Sequence, residues 1–294
     1  MHTQEATASR KRARQITQLA SPILFTVYLI QALMSDHLEY HGHPRPFVDK
    51  SLNWKTMRFS SCDVQSRMQL GRPHDLVLGY TRLMMGFLLF VPTPRHIAIV
   101  GLGGGSLAKF CYRYVPDSRI QVVEINPHVI ALRDDFEIPQ DDHRFHVCKE
   151  DAADHVRTTQ SRYDVIMADG FDANGVPADL GSRSFYDNCF DVLEQAGVLV
   201  VNLHRHHECF PTYLERIKRS FAGRVVIVND LDLSNTIVFA FKQMSTVPLL
   251  ANLRRCAAAL TPEAWQQLAP SFSRIEQFGK WHGRGDSCEC SRKP

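Results

Sequence analysis

Between Pro94 and Lys242, short unbroken apolar runs alternate with longer stretches whose apolar residues recur at helical spacing. The runs His96–Val100, Ile120–Glu124, Phe145–Cys148, Tyr163–Ala168, Gly197–Leu203, Val225–Asn229 and Thr236–Phe241 predict strands. Ser106–Tyr114, His128–Asp135, Ala152–Thr158, Ser184–Leu193 and Pro211–Phe221 predict the helices between them. Strands apolar along their whole length, each followed by a helix, imply a mostly parallel sheet covered on both faces. Only Asp230–Asn235 separates the last two runs, too little for a crossover helix, so they are expected to pair antiparallel.

Upstream the pattern is different. Thr56–Cys62, Val64–Leu70 and Asp75–Leu78 read as short strands with turn residues between them, a small β-rich lead-in. Tyr80–Phe90 is apolar at helical spacing and predicts a buried helix. His37–Lys50, rich in His, Pro and Gly, reads as a linker. Before it, Arg10, Lys11, Arg12 and Arg14 precede the apolar run Ala20–Met34, which is interrupted by Pro22, Thr26 and Gln31. The run is short and broken for an integral membrane span and is expected to pack as a helix or an oligomer contact. A membrane-associated or export segment is the alternative. Beyond Lys242 the pattern is weaker; Thr261–Leu268 predicts a helix starting at Pro262, and Gly283–Pro294 is polar. The expected division is 1–50 extension and linker, 51–92 lead-in and helix, 93–245 α/β domain, and 246–294 helical segment and tail.

The length of 294 residues suits one large α/β domain with a smaller companion, and a formal net charge of +3 gives no reason to expect nucleic acid as a partner. Eight cysteines, mostly scattered singly through predicted elements, suit reduced thiols in the cytoplasm better than a disulfide framework. Cys288 and Cys290 lack a second pair at zinc-site spacing, so no metal is expected. Arg284-Gly285-Asp286 reads as a chance tripeptide, and Trp54, Trp265 and Trp281 as packing residues.

The chemistry concentrates where predicted strands end. HIAIVGLGGG (His96–Gly105) passes from a β-type run into glycines at 101, 103, 104 and 105, and a helix follows. Glycines let the backbone turn sharply and approach a ligand, and a helix start offers unpaired N–H groups. Glu124 ends the next strand, placed to accept both hydroxyls of a ribose. The third strand end supplies Glu150, Asp151 and Ala152; the fourth supplies Asp169, with Asp172 after it. Ligands of open α/β sheets sit beyond these carboxyl ends, so the pattern points to a nucleoside-containing cofactor. The cluster His204–Cys209 follows the fifth strand near the same rim, as a solvated or substrate-edge loop, a metal site being the other reading.

From about Val64 to Lys242 these pieces resemble the spermidine synthase family of polyamine aminopropyltransferases. GLGGGS (Gly101–Ser106) stands where that family has its glycine-rich loop, VEINPHVI (Val123–Ile130) resembles its ribose segment, and EDA (Glu150–Ala152) its adenine contact. YDVIMADGFD (Tyr163–Asp172) resembles the segment with the catalytic aspartate, and SFY (Ser184–Tyr186) continues the likeness. Val64-Gln65 resembles the family's Tyr-Gln pair, and Tyr80 its amine-site tyrosine. The resemblance implies a seven-stranded, Rossmann-like sheet of the class I methyltransferase type. Decarboxylated S-adenosylmethionine would be held by Gln65, Gly101, Gly103, Gly104, Gly105, Glu124, Asp151 and Ala152. An amine would lie at Tyr80 and Asp172, with Asp169 as catalytic base, in a homo-oligomer. A class I methyltransferase using intact S-adenosylmethionine and a non-catalytic nucleoside-binding homologue are the alternatives. The departures lie on the amine side: Gly104 stands in place of the loop aspartate, Thr81-Arg82-Leu83 follows Tyr80 without the expected acid, and Ala173 replaces a proline. Arg82 there would repel a diamine or bind an acidic group.

Overall fold

The computed structural model describes residues 42–60, 64–171, 175–231, 234–244 and 249–282, with side chains to 277. The chain divides between Arg45 and Pro46, and the strands and helices named here all belong to the second unit. The apolar run Ala20–Met34 and the tail lie outside the described residues.

Strands β1 (Phe47–Lys50), β2 (Trp54–Arg58) and β3 (Val64–Gln69) form an antiparallel sheet in sequential order. Helix α1 (Gly79–Met84) runs into a 3-10 turn, Met85–Leu89. The main sheet holds β4 (His96–Val100), β5 (Arg119–Glu124), β6 (Phe145–Lys149), β7 (Tyr163–Ala168), β8 (Leu193–His204), β9 (Val225–Asn229) and β10 (Asn235–Phe241). Between them run α2 (Ser106–Tyr114), α3 (Pro127–Ile130), α4 (Ala152–Thr158), α5 (Arg183–Val192) and α6 (Phe210–Ser220), and α7 (Leu249–Ala259) and α8 (Pro262–His282) follow. The strand order is β6-β5-β4-β7-β8-β10-β9, parallel except for β10, which pairs antiparallel with both β8 and β9. The expected seven-stranded sheet, antiparallel ending included, is the one observed.

Two-residue alternation sorts each strand's side chains onto two cores. Ile97, Ile99, Val165, Met167, Val198, Val200, Ile237 and Phe239 join the core under α2, α8 and the 3-10 turn. Ala98, Val100, Ile166, Ala168, Leu199, Val201, Val238 and Ala240 join the core under α4, α5 and α6. This alternation decides which way the first polar residue past each strand points.

Several boundaries differ from expectation. Phe47–Lys50 is a strand, where the sequence pattern suggested a linker: its residues pair with β2. The strand expected over Thr56–Cys62 lies at Trp54–Arg58, and its pairing with β3 is interrupted by a register shift between Met57 and Arg58. Asp75–Leu78 is no strand, because side chains take its backbone groups. Gln267 accepts from the Leu76 N–H at 2.8 Å, and the Arg82 guanidinium holds the carbonyls of Leu76 and Val77. The helix expected over His128–Asp135 is the single turn α3, capped by Asn126, and then a run of turns. In the C-terminal region α7 is an additional helix, and α8 continues past Pro270 instead of ending near Leu268. An interior proline costs about 3 kcal/mol, and α8 offsets it by burying Leu268, Phe272 and Ile275 completely. Trp265 packs against the core, while Trp54 is partly exposed. Among the described residues no helix is long and apolar enough to cross a membrane.

Ile275 of α8 packs against Gly86 in the 3-10 turn. A Cβ there would lie 2.1 Å from Ile275 Cδ1 and 3.0 Å from the Phe239 ring. Gly86→Ala should therefore lower stability by about 1–3 kcal/mol, the usual cost of overfilling a packed core. Adding Ile275→Val, which removes the colliding methyl, should recover part of the loss; urea unfolding midpoints measure both.

Candidate active site

The sheet order β5-β4-β7-β8 sets the site out along one rim. The glycine loop leaves β4 in the centre, Glu124 ends β5 on one side, and Asp169 follows β7 on the other. Gly101 turns with φ +89°, and a Cβ there would lie 2.5 Å from the Asp169 carbonyl oxygen. Backbone from two strand ends is therefore packed where only glycine fits. Gly103 and Gly105 also take positive φ, and Ile138 fills the space a side chain at Gly105 would need.

Glu124 is buried and holds the loop from below. Its Oε2 accepts from the Leu102 N–H and its Oε1 from the Asn126 N–H, both at 2.8 Å. The carboxylate thereby joins the loop after β4 to the chain after β5. Asp151 is the N-cap of α4, accepting from Ala153 and Asp154 N–H groups at 2.7 and 3.2 Å, and Ala152 is buried behind it.

Asp169 has the most unusual environment. The Tyr80 hydroxyl donates to its Oδ2 at 3.2 Å and the Asn202 amide to its Oδ1 at 2.9 Å. Strand alternation accounts for the meeting: Asp169 continues the face of Met167, and Asn202 that of Val200, in adjacent strands where Ala168 pairs with Val201. Tyr80 packs against that same core. Burial raises the Asp169 carboxyl from about 3.8 to about 7, against the hydrogen bonds from Asn202 and Tyr80, which lower it. Burial, with the Asp169 charge and hydrogen bond behind it, drives the Tyr80 phenol well above its ordinary value, so it remains a donor.

Other expected residues fall into place or outside the rim. Ser66 and Met68 form the buried face of β3, and Gln65 alternates to the other face. A Cβ on Gly104 would lie 2.5 Å from Ser66 Oγ and 2.8 Å from the Phe136 ring, so the loop has no room for a carboxylate there. One guanidinium nitrogen of Arg82 donates to the carbonyls of Leu76 and Val77 and anchors the segment before α1. Asp172 lies outside the described residues. The His204–Cys209 cluster packs on the loop beyond Asp169: His204 stacks on Phe171 with centroids 4.4 Å apart, and His207 stacks on Tyr213. The cluster gathers no metal-ligand set among the described residues. Asn202 escaped the sequence reading. Its signal was one amide inside the apolar run Val198–Leu203.

The spermine/spermidine synthase domain matches residues 77–230. A polyamine aminopropyltransferase of Chromobacterium violaceum is 34% identical over 235 residues, covering 80% of this chain and 90% of the relative. The chain belongs to the spermine/spermidine synthase family. A second polyamine aminopropyltransferase, from Neisseria meningitidis serogroup A, is 34% identical over 222 residues, 75% of this chain and 84% of its own. In three dimensions, a probable spermidine synthase from Corynebacterium glutamicum matches with a TM-score of 0.60 at 20% identity, covering 85% of this chain and 95% of its own. Human methyltransferase-like protein 13 in complex with SAH matches at 0.54 and 22%, covering 73% and 98%. These structural likenesses establish the fold alone. The family membership makes the chain an aminopropyltransferase-type transferase and does not favour methyl transfer.

Gly101→Ala should collide with the Asp169 backbone and force a positive φ on a residue with a Cβ. Calorimetry with methylthioadenosine should show affinity reduced by about tenfold or more, since 1.4 kcal/mol is already a factor of ten. Wild-type affinity in the variant would contradict the tight β4–β7 junction.

Proposed function

We propose that the chain moves the aminopropyl group of decarboxylated S-adenosylmethionine to a small amine, releasing methylthioadenosine. In this reading the nucleoside lies over Gly101–Gly105, with its ribose on Glu124 and its base beside Asp151 and Ala152. The amine sits against the Tyr80–Asp169 pair, and the family resemblance assigns Asp172 to the same substrate. The observation that carries the reading is Asp169, held by Tyr80 and Asn202 directly against the backbone of Gly101.

The chemistry follows from the charges. The amine nitrogen attacks the methylene carbon next to the sulfonium. The C–N bond forms as the C–S bond breaks, and the electron pair neutralises the sulfur. The nucleophile has to be neutral, yet a free alkylamine has a pKa on the order of 10, like lysine. Asp169 pairs with the ammonium and takes its proton as attack begins, which is typically worth about 10²–10⁴-fold. Alignment of nitrogen, carbon and sulfur adds to this. A carboxyl titrating at about 7 is tuned for such work near neutral pH. The missing loop carboxylate at Gly104 leaves the donor's amino end to other groups and makes Asp169 the chief anchor for positive charge among the described residues.

Incubation with decarboxylated S-adenosylmethionine and a panel of amines, with mass detection, tests the reaction. Aminopropylated product and methylthioadenosine are expected; methylated product from intact S-adenosylmethionine would replace this reading with methyl transfer. In kcat/KM for the amine, activity should fall below an apparent pKa of about 7, because the ionised form of Asp169 is the base. Asp169→Asn should lower kcat by about 10²–10⁴-fold and abolish that acidic limb; activity within a few-fold of wild type would remove Asp169 from the role. Asn202→Leu should move the limb to higher pH, since the lost hydrogen bond is one that lowers the Asp169 pKa.

A further inference from the structure

A second cluster lies at the sheet edge, where β6 leads into α4. Cys148, Glu150 and His155 bring Sγ, a carboxylate oxygen and a ring nitrogen within 4.8 Å of one another. His155 is buried, Cys148 is half-buried, and the Glu150 side chain is 40% exposed, so the cluster opens to solvent on its carboxylate side.

The hydrogen bonds behind the cluster set its polarity. The Tyr163 hydroxyl donates to Gln121 Oε1 at 3.1 Å, so its oxygen is the acceptor for His155 Nε2 at 2.8 Å. With Nε2 donating to Tyr163, Nδ1 faces Glu150 Oε2 at 2.7 Å, either as the second donor of an imidazolium or as a lone pair open to a cation. Two acceptors facing each other need a proton or a cation between them. The same Gln121 side chain donates through Nε2 to Cys148 Sγ at 3.7 Å, while the thiol donates to the Val122 carbonyl at 3.3 Å and burial raises its pKa, so it is a thiol until a metal displaces its proton. One amide thus orients the histidine through Tyr163 and supports the sulfur directly, as outer-shell groups do around protein-bound metals.

We propose that Cys148, Glu150 and His155 bind one divalent transition metal, zinc by preference, with water completing a tetrahedron. One soft sulfur, one imidazole and one carboxylate suit zinc better than magnesium or calcium. Metal–ligand lengths of 2.0–2.3 Å put tetrahedral ligand atoms about 3.3–3.7 Å apart, so Nδ1 and Oε2 separate by under about 1 Å to admit the ion. On binding, the Cys148 thiol proton and any proton on Nδ1 pass to solvent, the S–M and N–M bonds form, and nothing is oxidised or reduced. The ion ties edge strand β6 to α4 beside the cap residue Asp151.

The test is titration of the metal-free full-length protein with Co²⁺ and then Zn²⁺. One equivalent of Co²⁺ should give a near-ultraviolet thiolate charge-transfer band with intense tetrahedral visible bands, and Zn²⁺ should displace it. Cys148→Ser should abolish the charge-transfer band and weaken binding about a hundredfold or more, beyond the 10–100-fold cost of losing an outer-shell partner. His155→Gln should weaken binding with the band retained. A Cys288→Ser/Cys290→Ser double variant should behave as wild type, which separates the cluster from the tail thiols. No stoichiometric Co²⁺ binding, or a band that survives Cys148→Ser, would overturn the proposal and leave His155 and Glu150 as an ion pair.

Discussion

The Asp169 N–H donates to the Val100 carbonyl at 3.0 Å, and the Gly101 N–H donates to the Val123 carbonyl at 2.9 Å. These two backbone bonds carry the parallel pairing of β5, β4 and β7 one residue past the strand ends. At the end of β4 the Asp169 main chain already fills the space that a Cβ would need, so the next residue there can carry no side chain. The glycine at 101 satisfies that condition. The carboxylates on either side are then set at one level, Glu124 beneath the loop and Asp169 beside it. Ligand contacts proposed for the rim inherit their geometry from this junction.

Much of the sheet was legible because each strand is apolar along its length and each helix has one apolar face. β4, β7 and β9 have the bounds their sequence patterns predict, as do α2 and α4. Legibility failed where tertiary contacts overrode local signals. Pro270 reads as a helix stop, yet complete burial of Phe272 and Ile275 carries α8 through it. Asp75–Leu78 reads as a strand, yet Gln267 and Arg82, remote in sequence or one helical turn away, take its backbone groups. In the site, glycines and strand-end acids were visible because their spacing along the chain mirrors their spacing in space. Asn202 was not, because its partner is 33 residues away and the contact depends on strand register.

Asp169 shows how the fold sets a proton affinity. Its surroundings remove water, which favours the neutral acid, while an amide and a phenol donate to it, which favours the anion. Burial prevails, and the carboxyl settles near 7, far from the usual carboxylate range. Arriving positive charge would reverse that balance by stabilising the anion. The group is therefore one whose charge state responds to what binds beside it.

Gly104 carries a consequence for the history and redesign of this chain. Ser66 comes from the small antiparallel sheet and Phe136 from the turns after α3, and together they close over Gly104, where the family resemblance led us to expect an acid. Restoring that acid by one substitution would wedge it against a hydroxyl and a buried ring. The Ser66 hydroxyl would have to turn away and the Phe136 ring to give way, so three separate segments meet at this position. The loop's shape is thus held by two segments remote from it in sequence as much as by its own glycines.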